Sequence, residues 1–338
     1  MLFNLRSEAT LNSVVEFHGI GVHSGENVNM QIYPSKINSG IIFERTDIKD
    51  KDPFIKLSPN SVIDPTLCTR VVNKSGVFVA VVEHLLAAFR ICGITNALIR
   101  LDSQEVPIMD GSALDFVRSF RKTGIIQQDA FVPAIVISHP VFEESNTGKI
   151  SISPSNNLNI SVKLSYDRIN PVIKDNNSYA FSFEDNLNDL ANSRTFGWIE
   201  DYEKVRNMGL AKGTSEENTI AILPDNTIKN AEGLRNPKEL VMHKCLDLIG
   251  DISVIGYDII GDIDGLNTSH ALNNKLIRKL LAEISSHKVI TNQSSINFNK
   301  ELADLIVRFS QLLMMKILCF RPLQHLTGQL VFLITETR

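Results

Sequence analysis

The sequence predicts an α+β fold of two similar domains, each a sheet with helices layered against it. In both halves, segments that alternate apolar and polar residues and end at Gly, Asn or Pro predict strands. Each half then has a helical segment that contains a histidine, His84 or His243, and a strand after it. Each half later begins another helix at a small residue, Ser112 or Ser269. This repeated order predicts two copies of one layered unit.

The first half combines strands with two helices. The apolar run at 79–93 ends at Gly93 and predicts the first helix. Ser112, with Asp115 three residues later, predicts a capping box at the second helix, and Gly124 predicts its C-terminal end. The strands of this half are predicted at residues 13–19, 26–34, 39–46 and 95–102.

The second half repeats this pattern after a polar stretch at 125–134, which reads as a break in the chain. We therefore expect a first domain at 1–128, a second at 129–286 and an extension at 287–338. Helices are predicted at 239–251 and from His270 onward, and strands at 134–144, 148–155, 158–167 and 256–263.

Composition excludes several classes of protein. The net charge of -4 gives no reason to expect a nucleic-acid partner. The N-terminus lacks the pattern of a signal peptide, and no uncharged apolar run reaches the ~18–20 residues that span a bilayer. The four cysteines show neither CxxC spacing nor a disulfide framework. We therefore expect a cytoplasmic protein without stable membrane insertion.

Three residues have the chemistry of a metal site. His243 and Asp247 lie four residues apart on one predicted helix, so both side chains reach the same point. Together with His84, they form the two-histidine, one-carboxylate set of a catalytic zinc site with an open position. A non-haem iron site uses the same ligands, so the ligand types leave the metal open. A polar stripe that faces solvent is the alternative for the helix of His243.

Ionisable residues near these ligands predict acid–base chemistry. Glu83 diverges by about 100° from its neighbour His84 on a helix, and it can accept a proton from water at the open metal position. His270 ends a small-residue loop and can protonate a leaving group. Asp251, one turn after Asp247, can orient a ligand or a catalytic histidine. The structural alternatives are a core histidine beside a surface glutamate, and a capping or surface histidine at 270.

Two further polar residues are candidates for contacts with a substrate. The hydroxyl of Thr195 can donate to a developing oxyanion, and Lys244 can contact an anion. The alternatives are an ordinary strand threonine and a solvated lysine. Among the other histidines, only His23 is kept as a candidate, and the rest are assigned to structure or surface.

Seven short stretches, taken together, resemble the bacterial zinc-dependent UDP-3-O-acyl-N-acetylglucosamine deacetylases of lipid A biosynthesis. They occur in the family's order and cover roughly residues 8–285: GIGVHSG, LCT, VEHLLAA, PIMDGSA, SRTFG, HKCLDLIGD and SHALNNKL. The complete set in this order is highly specific.

The resemblance implies two similar α+β domains with the active site between them. It also implies one Zn²⁺ per chain, held by the three candidate ligands. Glu83 would be the general base, and His270 would be the general acid or an electrostatic partner oriented by Asp251. Thr195 would polarise the carbonyl of the substrate.

The resemblance further implies where the substrate binds. Residues 198–212 would form an apolar passage for the acyl chain, to which Tyr202, Val205, Met208 and Leu210 contribute. Cys68 would lie near the site without binding the metal. The remaining implied substrate contacts are Lys244, Phe196 at the sugar, Lys149 at the diphosphate, Tyr166 at the uracil, and Leu67.

The sequence thus predicts a monomeric zinc-dependent deacetylase whose partner is a UDP-linked acylated glucosamine. The reaction would remove the N-acetyl group of UDP-3-O-(3-hydroxyacyl)-N-acetylglucosamine. A zinc amidase acting on another acylated sugar and a non-catalytic metal-binding module of the same fold are the alternatives. Residues 287–338 depart from the family pattern, and both an added packing element and a contact with a membrane surface or a partner are open for them.

Overall fold

The computed structural model describes residues 5–63, 67–165, 178–182 and 187–291. Its strands are β1 Ser7–Leu11, β2 Val15–Ile20, β3 Asn27–Pro34, β4 Ile41–Arg45, β5 Phe54–Lys56, β6 Val62–Ile63, β7 Arg70–Val72, β8 Phe78–Ala80, β9 Ala97–Leu101, β10 Ile125–Phe131, β11 Ala134–Val136, β12 Val141–Glu144, β13 Lys149–Ser153, β14 Leu158–Lys163, β15 Ser178–Ser182, β16 Phe196–Trp198, β17 Ile220–Ile222, β18 Asp258–Leu266 and β19 Lys288–Ile290. Its α-helices are α1 Glu83–Cys92, α2 Leu114–Thr123, α3 Leu187–Ala191, α4 Ile199–Asn207, α5 Glu239–Ser253 and α6 His270–Ala282, and 3₁₀ turns lie at Pro59–Ser61 and Ile284–Ser286.

The first large sheet has the strand order β2-β3-β9-β4-β5. Its central strand β9 pairs antiparallel with β3 and parallel with β4. Along β3 the apolar residues Val28, Met30 and Ile32 are buried and alternate with more exposed neighbours. This alternation is the reason why the segment forms a strand that lies on a core.

The second large sheet repeats this order as β12-β13-β18-β14-β15. Its central strand β18 pairs antiparallel with β13 and parallel with β14, as β9 does with its own neighbours. The first residues of β18 also pair with β11, which in turn pairs with β19. The repeated topology confirms the predicted α+β fold of two similar layered units.

Four helices pack in the centre of this arrangement. Helices α1 and α5 contact each other, α2 packs against α1, and α6 packs against α5. One continuous apolar core includes residues of both large sheets and of these helices. Nearly every residue of α1 and α5 is buried, including most of the ionisable ones: Glu83, His84, Glu239, His243, Asp247 and Asp251. Polar groups on these two helices therefore need partners inside the protein.

The first helix confirms one sequence prediction and shortens it. Gly93 ends α1 with a left-handed φ of 76°, which a residue without a Cβ adopts at little cost. The helix begins only at Glu83, because Phe78–Ala80 form β8 and Val81 turns the chain with a φ of 59°. Positive φ is rare for a β-branched residue, so the turn before Glu83 is strained.

The capping box predicted at Ser112 is wrong. Helix α2 starts one residue later than expected, with Ala113 as its N-cap. The hydroxyl of Ser112 donates to Asp110 at 2.7 Å, and the same carboxylate accepts the Ser112 amide at 3.0 Å. Ser112 thus belongs to a local turn with Asp110, and its hydroxyl oxygen accepts the amide of Leu114, the first residue of the helix, at 3.2 Å.

The polar stretch at 125–134 was predicted to be a break in the chain, but the structure has a strand there. Ile125–Phe131 form β10, which pairs antiparallel with β1. Several side chains of β10 are exposed, so an antiparallel ribbon accommodates polar residues there. The domain boundaries at 128 and 286 stay predictions, and residues 292–338 of the predicted extension lie outside the described residues. Within the described ranges, no helix has the length and apolar character needed to cross a bilayer.

Candidate active site

The packing of α1 on α5 brings the three predicted metal ligands together. His84 is the second residue of α1, and His243 and Asp247 lie one turn apart on α5. Asp247 Oδ1 is 3.4 Å from His84 Nε2 and 3.2 Å from His243 Nε2. All three side chains are buried, and the two imidazole rings are nearly perpendicular with centroids 5.0 Å apart.

This group fits a tetrahedral divalent metal. Bond lengths of about 2.0–2.2 Å to nitrogen and oxygen ligands place adjacent ligands roughly 3.3–3.5 Å apart. The two nitrogen–oxygen distances, 3.2 and 3.4 Å, agree with that spacing. Asp247 Oδ1 is buried and has no hydrogen-bond partner within the described part of the chain, although it faces both imidazoles. A buried carboxylate oxygen in this state, beside two imidazole nitrogens, fits the role of a metal ligand.

The neighbours of these ligands prepare them for a metal. His243 Nδ1–H donates to the carbonyl of Ser193 at 3.0 Å, which leaves the lone pair of Nε2 directed at the site. Burial lowers the pKa of His243 to about 4, so this imidazole is neutral. Burial opposes the charge of Asp247, but the polar and charged groups around it, with His243 and Lys244 foremost, outweigh burial and hold the pKa of this carboxyl well below its usual range. Lys244 Nζ donates to Asp247 Oδ2 at 2.7 Å.

Glu83 lies beside the ligands with one carboxylate oxygen fixed. Its Oε2 accepts the backbone N–H of Thr69 at 3.0 Å, and its Oε1 is 3.7 Å from His270 Nε2. The side chain is buried, and this desolvation raises the pKa of Glu83, although His270 and His84 oppose the effect. A carboxylate with a raised pKa is suited to accept a proton and to release it again.

His270 is held on the other side of Glu83 by Asp251. His270 Nδ1–H donates to Asp251 Oδ2 at 2.8 Å, and the same oxygen accepts Asn273 Nδ2–H at 2.8 Å. Burial disfavours the imidazolium, but Asp251 and Glu83 outweigh it and raise the pKa of His270 to about 9. At neutral pH the ring is therefore a cation that points its Nε2 at the general-base candidate.

A close contact between backbones sets the distance between α1 and α5. A Cβ added to Gly250 on α5 would lie only 2.0 Å from the carbonyl oxygen of Glu83 on α1. Only glycine permits this approach, because every other residue carries a Cβ. Gly250 lies between Asp247 and Asp251, so the glycine contact brings both aspartates next to the start of α1.

A cavity of about 550 Å³ opens onto this group. It is lined by the three metal-ligand candidates, Glu83 and His270. Leu67, Thr195 and Phe196, which the sequence predicted as substrate or catalytic contacts, also line it. Its apolar part includes Trp198, Tyr202 and Val205 from the predicted acyl passage, but neither Met208 nor Leu210.

Thr195 and Phe196 are positioned by the segment that enters β16. Thr195 donates its amide to the carbonyl of Gly111 and accepts the amide of Ile220, both at 2.8 Å. The Phe196 ring contacts the imidazole of His243 edge-on, with centroids 6.2 Å apart. Both residues thus border the cavity beside the ligand group.

The structure gives less support to the remaining residues that were predicted to contact the substrate. Lys244 contacts Asp247 and does not line the cavity, and Lys149 is an exposed residue at the start of β13. Tyr166 lies outside the described residues. His23, which the sequence kept as a candidate, lines the cavity, and its amide donates to Glu105 at 2.9 Å.

Sequence reasoning missed the residues that support this site. Thr69, Ser193 and Asn273 hold Glu83, His243 and Asp251 in place through hydrogen bonds. The available signal was their position in or beside the recognisable stretches LCT, SRTFG and SHALNNKL. Their partners lie far away in the sequence, so the pattern did not give them a role.

A second group of possible metal ligands lies elsewhere: His139, Glu283 and His287, whose ligand atoms are all within 4.8 Å of one another. The rings of His139 and His287 are stacked with centroids 4.4 Å apart. His287 Nδ1 accepts the amide of Ser138 at 3.3 Å, which places the ring proton on Nε2. With Nδ1 accepting a hydrogen bond and Nε2 protonated, His287 has no free lone pair for a metal ion, whereas Nε2 of His243 has one.

A three-ligand group with an adjacent carboxylate and a cationic histidine, opening into a cavity, is typical of metal-dependent hydrolases. A family model described as UDP-3-O-acyl N-acetylglycosamine deacetylase matches residues 8–282 of the chain. Curated relatives carry the name UDP-3-O-acyl-N-acetylglucosamine deacetylase. The one from Campylobacter fetus is 38% identical over 285 residues, which cover 84% of this chain and 95% of the relative.

Two other relatives of the same name are similar over the same share of the chain. The protein from Chromohalobacter salexigens is 38% identical over 289 residues, 84% of this chain and 93% of its own length. The protein from Myxococcus xanthus is 37% identical over 286 residues, 84% of this chain and 89% of its own length. The chain belongs to the UDP-3-O-acyl N-acetylglycosamine deacetylase family, which confirms the resemblance seen in its motifs.

Proposed function

We infer that this chain is a zinc-dependent deacetylase that removes the N-acetyl group of UDP-3-O-acyl-N-acetylglucosamine in lipid A biosynthesis. The observation that carries this proposal is the convergence of two imidazoles and one carboxylate, from the two halves of the chain, at 3.2–3.4 Å. The group lies in a chain that matches the deacetylase family over residues 8–282.

We propose that His84, His243 and Asp247 hold the zinc ion. Zinc bound there would supply Lewis acidity, which lowers the pKa of a water molecule and polarises the amide carbonyl. Asp247 contributes a charged oxygen at neutral pH, because its pKa lies well below the usual range. His243 contributes a neutral nitrogen whose tautomer is set by Ser193.

Glu83 and His270 carry out the proton transfers. Glu83 Oε1 is the free oxygen of its carboxylate, and it accepts the proton of the attacking water. His270 is protonated at neutral pH, and its charge stabilises the oxyanion that forms. It then donates a proton to the departing amine, while Asp251 holds the ring in orientation.

The substrate occupies the cavity with its amide at the ligand group. Thr195 donates to the developing oxyanion, and Phe196 and Leu67 border the sugar. Trp198, Tyr202 and Val205 provide apolar surface for the acyl chain. Lys149 and Tyr166 stay the predicted contacts of the diphosphate and the uracil. Lys244 donates a hydrogen bond to Asp247, so we assign it to the support of this ligand. The monomeric state and the cytoplasmic location stay predictions.

The test is release of acetate from UDP-3-O-acyl-N-acetylglucosamine by the full-length chain, followed by mass spectrometry. We expect turnover of this substrate and slow or no turnover of UDP-N-acetylglucosamine and of simple acetamides. Glu83→Gln should lower kcat on the order of 10²–10⁴-fold with zinc still bound. Glu144→Gln, an exposed carboxylate on β12, is the matched control and should keep full activity.

Two results would contradict the proposal. Full activity of Glu83→Gln would remove Glu83 from the reaction. Equal turnover of simple acetamides would favour a general amidase, since the cavity would then give no preference for the nucleotide sugar.

A further inference from the structure

Thr69 lies at the point where the general base and the charged histidine are held. The residue is buried, with 2% of its surface exposed. Its backbone N–H donates to Glu83 Oε2 at 3.0 Å, and its hydroxyl donates to Asp251 Oδ1 at 2.5 Å. One residue therefore contacts both carboxylates, which come from different helices.

The hydroxyl of Thr69 completes the hydrogen bonds of Asp251. Asp251 Oδ2 already accepts from His270 and Asn273, so Thr69 supplies the hydrogen bond to the other oxygen. Donors on both oxygens prevent the carboxylate from rotating about its terminal bond. Because the ring of His270 donates a hydrogen bond to Oδ2 of this carboxylate, the orientation of the ring is fixed as well.

The amide of Thr69 orients Glu83 in a comparable way. It occupies Oε2 and leaves Oε1 on the side of His270 Nε2, 3.7 Å away. The carbonyl of Thr69 also accepts the amide of Val82 at 3.3 Å, directly before the start of α1. The position of residue 69 is thereby tied to the helix that carries the base.

These two contacts have different chemical requirements. Every residue except proline offers the backbone N–H that reaches Glu83. Only a hydroxyl side chain of this length offers the donor that reaches Asp251. The two contributions can therefore be separated by changing the side chain alone.

We propose that Thr69 is a positioning residue that holds the proton acceptor and the proton donor of the reaction in one geometry. Its amide fixes Glu83 and its hydroxyl fixes the Asp251–His270 pair. The inference rests on the proposed function, because the roles of Glu83 and His270 come from it.

The test compares Thr69→Val, which removes the hydroxyl and keeps the shape, with Thr69→Ser, which keeps the hydroxyl. In the deacetylation assay, Thr69→Val should lower kcat on the order of 10–100-fold, with KM within about twofold and zinc content unchanged. Thr69→Ser should restore kcat to within about threefold of the unchanged protein. Thr69→Ala, which leaves room for a water molecule, serves if the valine variant fails to fold.

Thr268→Val is the matched control. Thr268 is as buried as Thr69 and lies two residues before His270, but its hydroxyl has no hydrogen-bond partner among the described residues. Its kcat and KM should stay within about twofold of the unchanged protein, because no hydrogen bond is lost.

A second comparison shows whether the hydroxyl acts through Asp251. In an Asp251→Asn background, Thr69→Val should cause little further loss, because residues that act as one unit are not additive. The role of Thr69 would be overturned if Thr69→Val left kcat unchanged or affected only KM or zinc content. It would also be overturned if Thr69→Ser failed to restore kcat, or if the losses of Thr69→Val and Asp251→Asn were fully additive. Since the unchanged protein is active in the same assay, those results leave the deacetylase function intact. An inactive unchanged protein would overturn both.

Discussion

Gly250→Ala tests whether the close packing of α1 on α5 sets the geometry of the active site. The added Cβ would lie 2.0 Å from the Glu83 carbonyl oxygen, whereas ordinary contacts begin at 3.4 Å. The two backbones must therefore separate by about 1.4 Å at this point, and neither atom belongs to a flexible side chain. Glu83 and His84 would move away from His243 and Asp247 by a similar amount.

The expected loss of activity is larger than the expected loss of stability. A misplacement of about 1 Å costs on the order of 10²-fold in rate. Overpacking costs roughly 1–3 kcal/mol, but alanine in a helix is about 1 kcal/mol more favourable than glycine. We therefore expect kcat/KM to fall about 100-fold while the free energy of unfolding falls by only about 0–2 kcal/mol.

The assay measures kcat/KM, zinc content and urea unfolding in parallel. Ser253→Ala on the same helix is the control, because it adds no atom and removes only a bond to the carbonyl of Ile249. If Gly250→Ala keeps full kcat/KM, the glycine contact does not set the site, and the reasoning from helix spacing is refuted.

Three further predictions concern charge and metal. Because the proposed mechanism needs protonated His270, kcat/KM should fall as pH rises through about 9, and Asp251→Asn should move this decline to lower pH in a pH–rate profile. Chelation of the metal should abolish activity, and addition of one equivalent of zinc should restore it. The assigned ligands would be contradicted if metal analysis found a second tightly bound equivalent, or if His243→Ala kept a normal zinc content. Arg194→Met should lower the free energy of unfolding by about 3–5 kcal/mol in urea titrations, because Arg194 and Glu239 are both fully buried and the carboxylate would lose its partner. Adding Glu239→Gln should recover much of that loss, and no recovery would argue against an uncompensated charge as the cause.

Local signals in the sequence were sufficient for the four central helices and for most strands of the two large sheets. The helix of His84 ends at Gly93 as predicted, because a left-handed C-cap depends on one residue type. The N-terminus of α2 was predicted one residue too early, because Ser112 belongs to a turn with Asp110 and the helix begins only after Ala113. The strand at Ile125–Phe131 was missed, because its hydrogen-bond partner β1 lies more than a hundred residues earlier.

The sequence by itself determined which groups are available for chemistry. The four-residue spacing of His243 and Asp247 places them on one helical face wherever that helix lies, and the adjacency of Glu83 and His84 is equally local. The tertiary structure alone decided that these pairs meet. The approach of α1 to α5 through Gly250, and the hydrogen bonds from Thr69, Ser193 and Asn273, join residues remote in the chain. Helical periodicity fixes directions within one element, but distances between elements depend on how their surfaces pack, which no local pattern specifies.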